Sequence, residues 1–105
     1  MEYDPDNPAT QSRLTKICRV IANPNSRRVL EMLAFAPMTI GNLHERIDLR
    51  VERIRDAAEM LVSLNLVQRV GGRKRQAVTY RLAKGGLDLV RSWLDRVASM
   101  SDAEE

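Results

Sequence analysis

The chain has little of what catalytic and metal-binding sites are built from. It holds one cysteine, Cys18, and one histidine, His44. A single cysteine excludes an intrachain disulfide and a CxxC metal knuckle, in keeping with a reducing cytoplasm. A lone histidine with no cysteine cluster offers no ligand set for a transition metal, and no triad or His-based acid/base pair. Neither a P-loop nor a Rossmann glycine pattern is present. No catalytic residue, metal or cofactor is therefore expected. Cys18 falls on the apolar face of the first expected helix, where a structural thiol is favoured over a redox sensor because no resolving partner is near it in sequence.

Long apolar runs are also missing: none approaches the ~20 residues that cross a bilayer. The start, Met1-Glu2-Tyr3-Asp4, lacks the basic and apolar regions of a signal peptide. The protein is expected to remain in the cytoplasm, away from membranes. Its 105 residues, 44% apolar and 30% charged with four aromatics, suit one small domain with a core of Leu, Ile and Val.

What is abundant is arginine. Fourteen of the 17 basic residues are Arg, and all 17 lie between Arg13 and Arg96, a window with only eight acidic residues. The other six carboxylates sit in acidic ends, residues 1–7 and 101–105, so the net charge of +3 understates how basic the body is. The planar fork of Arg suits bidentate contact with phosphate and guanine. A solvated charged surface explains the same total, so the position of the charges must decide.

Local signals divide the chain into about five helices and one hairpin. Asn7-Pro8 and Asn23-Pro24 each read as a cap followed by a first helical residue. The first predicts a helix over 8–22 with Leu14, Ile17, Cys18 and Ile21 on one face; the second opens a helix that carries Val29, Leu30 and Leu33 and stops before Pro37. Thr39 caps a short third helix through residue 46, with Ile40, Leu43 and Ile47 inward.

A turn at Asp48-Leu49 leads into a fourth helix over 50–64. Ile54, Ala57, Ala58, Leu61 and Leu64 share its buried side, while Glu52, Arg53, Arg55, Asp56, Glu59 and Ser63 face away. Asn65 is a left-handed stop. The β-branched stretches 66–70 and 77–82 flank Gly71-Gly72-Arg73-Lys74-Arg75 and predict a hairpin with a basic tip. A last helix is expected over 84–100, with Leu87, Val90, Trp93, Leu94 and Val97 in an apolar stripe.

Helix, helix, helix and basic hairpin in that order is the plan of a winged helix-turn-helix, a mainly α fold with a small β-hairpin. It presents one helix to a DNA groove and a wing to the adjoining phosphates. Base contact is expected from Arg53, Arg55 and Glu52 within the face that also carries Arg50 and Asp56, and phosphate contact from Thr39, Arg73, Lys74 and Arg75. The alternative for the face's mixed charge is local pairing of Asp56 and Glu59 with Arg53 and Arg55, with Glu52 favouring the helix dipole. That pairing is the favoured reading. The first and last helices have more apolar surface than so small a domain can cover. Leu14, Ile17, Cys18, Ile21, Val90, Trp93, Leu94 and Val97 are therefore expected at a homodimer interface, the alternative being packing within one domain.

Residues Ile21-Ala22-Asn23-Pro24-Asn25-Ser26-Arg27-Arg28-Val29-Leu30-Glu31-Met32-Leu33 resemble the opening of the ArsR-type winged-helix repressors. The segments Met38-Thr39-Ile40-Gly41-Asn42-Leu43, Leu61-Val62-Ser63-Leu64-Asn65-Leu66-Val67 and Tyr80-Arg81-Leu82 continue the resemblance over most of the chain. It implies a homodimeric DNA-binding transcriptional repressor or autoregulator joined through its first and last helices. Residues 50–59 would lie near a major groove of double-stranded DNA, and residues 73–75 on flanking DNA. Thr39 and Gly41 stand where metal-sensing members carry a cysteine pair, and the last helix has no His, so metal control is not implied. The chain also departs from the family in its recognition helix. Glu52, Asp56 and Glu59 balance Arg50, Arg53 and Arg55, which keeps open a winged-helix module that binds a protein partner instead of DNA.

Overall fold

The computed structural model describes residues 2–72 and 77–103. Five helices and a two-stranded antiparallel hairpin follow one another as α1 (Pro8–Ile21), α2 (Pro24–Phe35), α3 (Ile40–Arg46), α4 (Val51–Ser63), β1 (Val67–Gly71), β2 (Val78–Leu82) and α5 (Asp88–Ala103). This is the expected winged helix-turn-helix arrangement.

The helix starts follow from local chemistry. Asn7 Oδ1 accepts from the N–H groups of Ala9 (2.9 Å) and Thr10 (3.4 Å), and Pro8 occupies the first turn, where its missing N–H costs nothing. Asn23 caps α2 in the same way, accepting from Asn25 N–H at 2.8 Å. At α3, Thr39 Oγ1 accepts from Asn42 N–H while Asn42 Oδ1 accepts from Thr39 N–H, a reciprocal capping box.

Helix ends use arginines as well as turns. The Arg27 guanidinium donates to the carbonyls of Ile21 (2.8 Å) and Ala22 (2.9 Å) at the end of α1. Arg13 donates to the carbonyl of Leu64 at the end of α4. Asn65 then takes the left-handed conformation, φ 58°, and turns the chain into β1.

One core joins these elements. Ile17, Val29, Leu43, Ile54, Ala58 and Leu61 are wholly shielded from solvent, and Leu66, Val67 and Tyr80 bring the hairpin onto the same cluster. The hairpin pairs Val67 with Leu82 and Arg69 with Tyr80. Met38 adds an extended residue to its outer edge, exchanging hydrogen bonds of 2.9 and 2.8 Å with Tyr80. This bridge ties the segment before α3 to the wing, and nothing local in the sequence announced it.

Two expectations are corrected. The last helix begins at Asp88, not near residue 84, because the chain first makes a turn at Lys84 to Leu87. Gly85 there sits at φ 74°, and a Cβ on Gly86 would lie 2.8 Å from the Asn65 carbonyl oxygen, so tertiary contact rather than helix propensity sets the start. The apolar stripe of α5 is also redistributed. Leu89, absent from the expected set, is core together with Val90; Trp93 is half-buried, and Leu94 and Val97 are exposed.

Beyond Trp93 every described side chain of α5 faces solvent, and the molecule measures 54 × 26 × 20 Å with a radius of gyration of 15.7 Å. A compact chain of this length has a radius of roughly 13 Å. The protomer is elongated. Leu94 (51% exposed), Val97 (46%) and Met100 (58%) recur every third residue on α5. The N-terminal segment braces this helix: Tyr3 N–H donates to Ser92 Oγ (2.9 Å), Tyr3 Oη accepts from Gln11, and the Arg96 guanidinium stacks 5.8 Å from the Tyr3 ring centroid.

Candidate nucleic-acid interface

α3 and α4 pack through Leu43 and Ile47 on one side and Ile54, Ala57 and Ala58 on the other, where the small pair allows close approach. His44 Nδ1 lies 3.0 Å from the Leu49 carbonyl and spans the turn between them, so its N–H donates there. With its apolar side committed to the core, α4 has one orientation open to it. Arg50, Glu52, Arg53, Arg55 and Asp56 all face solvent on its N-terminal half.

Arg50 is the N-cap residue and makes no side-chain cap bond, while Glu52 falls in the first turn, where a carboxylate complements the positive helix end. Thr39, at the start of α3, uses its hydroxyl oxygen to cap that helix, which leaves the hydroxyl proton free to donate. Arg53 and Asp56 border a shallow depression shared with Asn23, Asn25 and Ser26 of the α2 start.

The favoured local pairing on this face is corrected. Among the described residues, Arg50, Glu52, Arg53, Arg55 and Asp56 form no ion pair. Glu59 pairs elsewhere: its Oε1 accepts from the Arg69 guanidinium at 2.7 Å and from Tyr80 Oη at 2.9 Å. The register explains this, because Arg69 and Tyr80 are cross-strand partners and present neighbouring side chains to α4. Burial, reinforced by the hydrogen bond to Glu59 and its negative charge, raises the Tyr80 pKa above its ordinary value of 10.0.

With Glu59 engaged by Arg69, the open face carries three arginines against two carboxylates. Sequence reasoning missed the clamp of Glu59, Arg69 and Tyr80 because it spans α4 and both strands. The one available signal was Tyr80 at an inward position of β2.

The wing rises beside this face through β1 and β2, and Gly71 and Gly72 take positive φ values of 86° and 87° where the chain leaves β1. Arg73, Lys74 and Arg75, expected to contact phosphate, lie outside the described residues. Of the residues expected at a dimer interface, Leu14, Ile17 and Val90 are buried in the protomer's own core and have no surface to offer a second copy. Cys18, Ile21 and Trp93 are half-buried, and Leu94 and Val97 are open. Among the described residues no three His, Cys, Asp or Glu side chains gather as a metal site would require, and no helix is long and apolar enough to cross a membrane.

A helix-turn-helix with its second helix exposed and a hairpin beside it defines the winged helix-turn-helix class. Solved structures share this fold. An ArsR family transcriptional regulator superposes with a TM-score of 0.74 at 20% identity, covering 97% of each chain. An ArsR-like transcriptional regulator from Rhodococcus sp. RHA1 gives 0.76 at 19% identity over 91% of this chain and 89% of its own. The homodimeric winged helix-turn-helix DNA-binding domain of a Mycobacterium bovis protein gives 0.66 at 21% identity, over 94% and 90%. No protein-family model matches the sequence, and no curated protein matches it.

Proposed function

We propose that the protein is a dimeric, sequence-specific DNA-binding transcriptional regulator, acting as a repressor or autoregulator. The observation that carries this reading is the N-terminal half of α4: a rigidly packed helix whose Arg50, Glu52, Arg53, Arg55 and Asp56 are all exposed and free of ion pairs among the described residues. Arg53 and Arg55 read guanine, Glu52 accepts from cytosine N4, and Arg50 and Asp56 complete the surface toward the groove. Thr39, Arg73, Lys74 and Arg75 hold phosphates and fix the register. Withdrawal of Glu59 into the Arg69 and Tyr80 clamp lowers the electrostatic cost of approaching DNA, which weakens the case for a protein-binding module.

The projecting half of α5 supports a two-fold dimer. Leu94, Val97 and Met100 form an exposed apolar row on a helix that extends beyond its own core, and the homodimeric Mycobacterium bovis domain shares the fold. A two-fold dimer sets two α4 helices about one helical turn of DNA apart, roughly 34 to 36 Å.

Salt titration of affinity for a mixed-sequence duplex tests the phosphate part. Affinity should fall steeply with salt, and replacing Arg73, Lys74 and Arg75 together by alanine should flatten the log–log slope by about 2 to 3. An unchanged slope would remove the wing from the phosphate contacts.

A further inference from the structure

A cavity of about 480 Å³ opens between α1, the start of α2 and the end of α4, and the DNA-binding reading gives it no task. Val20, Met60 and Leu64 make an apolar wall; Lys16, Arg19, Asn23 and Ser26 make a polar one, with no carboxylate in either. Lys16 and Arg19 stand one turn apart on α1, are exposed, and form no ion pair among the described residues.

Ser26 is the unusual member. It is only 4% exposed, yet neither its hydroxyl nor its backbone N–H has a hydrogen-bond partner among the described residues. No fully enclosed side-chain polar atom there lacks a partner, so the hydroxyl is not sealed in the core; Ser26 lines both this cavity and the adjoining depression bordered by Arg53 and Asp56. Pro24 has no N–H and that of Asn25 is taken by Asn23 Oδ1, which makes Ser26 the first free donor at the positive end of α2. Two free donors, two free cations and an apolar wall together define a ligand with a negative head and an apolar body.

We propose that this cavity binds a small organic carboxylate with an aliphatic chain or aromatic ring, which acts on α4 as an effector. The carboxylate accepts from the Ser26 N–H and hydroxyl under the charges of Lys16 and Arg19, and the apolar body lies on Val20, Met60 and Leu64. A DNA phosphate is the poorer occupant. The wall of Val20, Met60 and Leu64 offers a phosphodiester no partner, although the near side of the cavity, Asn23, Ser26 and Met60, adjoins the depression bordered by Arg53 and Asp56. Occupation would tie α1 and α2 to the end of the recognition helix; that this changes DNA affinity rests on the DNA-binding reading.

The binding part is tested without DNA, by titrating the full chain with octanoate and with 4-phenylbutyrate and following backbone amide NMR shifts. Saturable shifts centred on Ser26, Met60 and Leu64 are expected. Octanol, which keeps the chain and lacks the charge, should bind about tenfold more weakly or worse, as should octanoate to the Lys16→Gln/Arg19→Gln variant. Absence of saturation by both carboxylates, equal binding of octanol, or shifts centred elsewhere would overturn the site. Carboxylate binding by a protein that binds no DNA would keep the site and sink the DNA-binding reading. Carboxylate binding that leaves DNA affinity unchanged would overturn the effector role.

Discussion

α4 buries a complete stripe, Ile54, Ala57, Ala58 and Leu61, and turns charge outward; α5 buries Leu89 and Val90 near its start and turns Leu94, Val97 and Met100 outward. Both are amphipathic helices, of 13 and 16 residues. The difference lies in where the rest of the protein stands. α4 is packed by α2, α3 and β1, so its apolar positions other than Met60 have neighbours, and what its N-terminal half leaves exposed is charged. α5 outruns the body it packs on, so its later apolar positions have no neighbour within the protomer. An exposed charged face on a well-packed helix and an exposed apolar row on a projecting one suit different partners, which the proposed function takes to be a polyanion for the first and a second copy of the chain for the second.

Truncation of a buried α4 residue should show the largest effect. Leu61→Ala removes a fully enclosed side chain and should cost about 2 to 5 kcal/mol in urea unfolding, whereas Leu94→Ala should change the stability of the isolated protomer by less than about 0.5 kcal/mol. Equal costs would mean that Leu94 is packed within its own protomer. Assembly should reverse that order. Sedimentation of the Leu94→Asp/Val97→Asp variant should give the mass of one chain where the unaltered protein gives two; a two-chain mass for the variant would place the interface elsewhere.

Smaller effects probe the supports of α4. Thr39→Ala removes the acceptor that caps α3 and should lower stability by about 1 kcal/mol, which thermal or urea unfolding would register. Tyr80→Phe removes the hydrogen bond to Glu59 and should cost a similar ~1 kcal/mol near neutral pH. Its pH dependence has a definite sign. Because the folded-state pKa of Tyr80 is raised above 10.0, the contribution of the neutral phenol is fully present below pH 10 and is lost as pH rises through the folded value. Unfolding compared at about pH 9 and about pH 11 should show a loss in the unaltered protein that Tyr80→Phe lacks. The same loss in both would assign it to other groups.

The legibility of the sequence divides along the same line. The starts of α1, α2 and α3 were readable because Asn7-Pro8, Asn23-Pro24 and Thr39 act within one turn of themselves. The left-handed stop at Asn65 and both strands are equally local signals. The start of α5 was misplaced because Gly86 packs on the Asn65 carbonyl, a contact between residues far apart in sequence. The clamp of Glu59, Arg69 and Tyr80 and the Met38 bridge were missed for the same reason. Periodicity identified apolar faces on α1 and α5 without saying what covers them, so Leu14, Ile17 and Val90 were assigned outward although the protomer's own core takes them.

Selection of bound duplexes from a random DNA library at near-physiological salt tests the central claim most directly, with the unaltered protein and Arg53→Ala run in parallel. Enrichment of an inverted repeat whose half-sites lie about one helical turn apart is expected, with relaxed preference at one position of each half-site for Arg53→Ala. Binding without enrichment, or no binding at all, would contradict the assignment of α4 as a reader of DNA sequence.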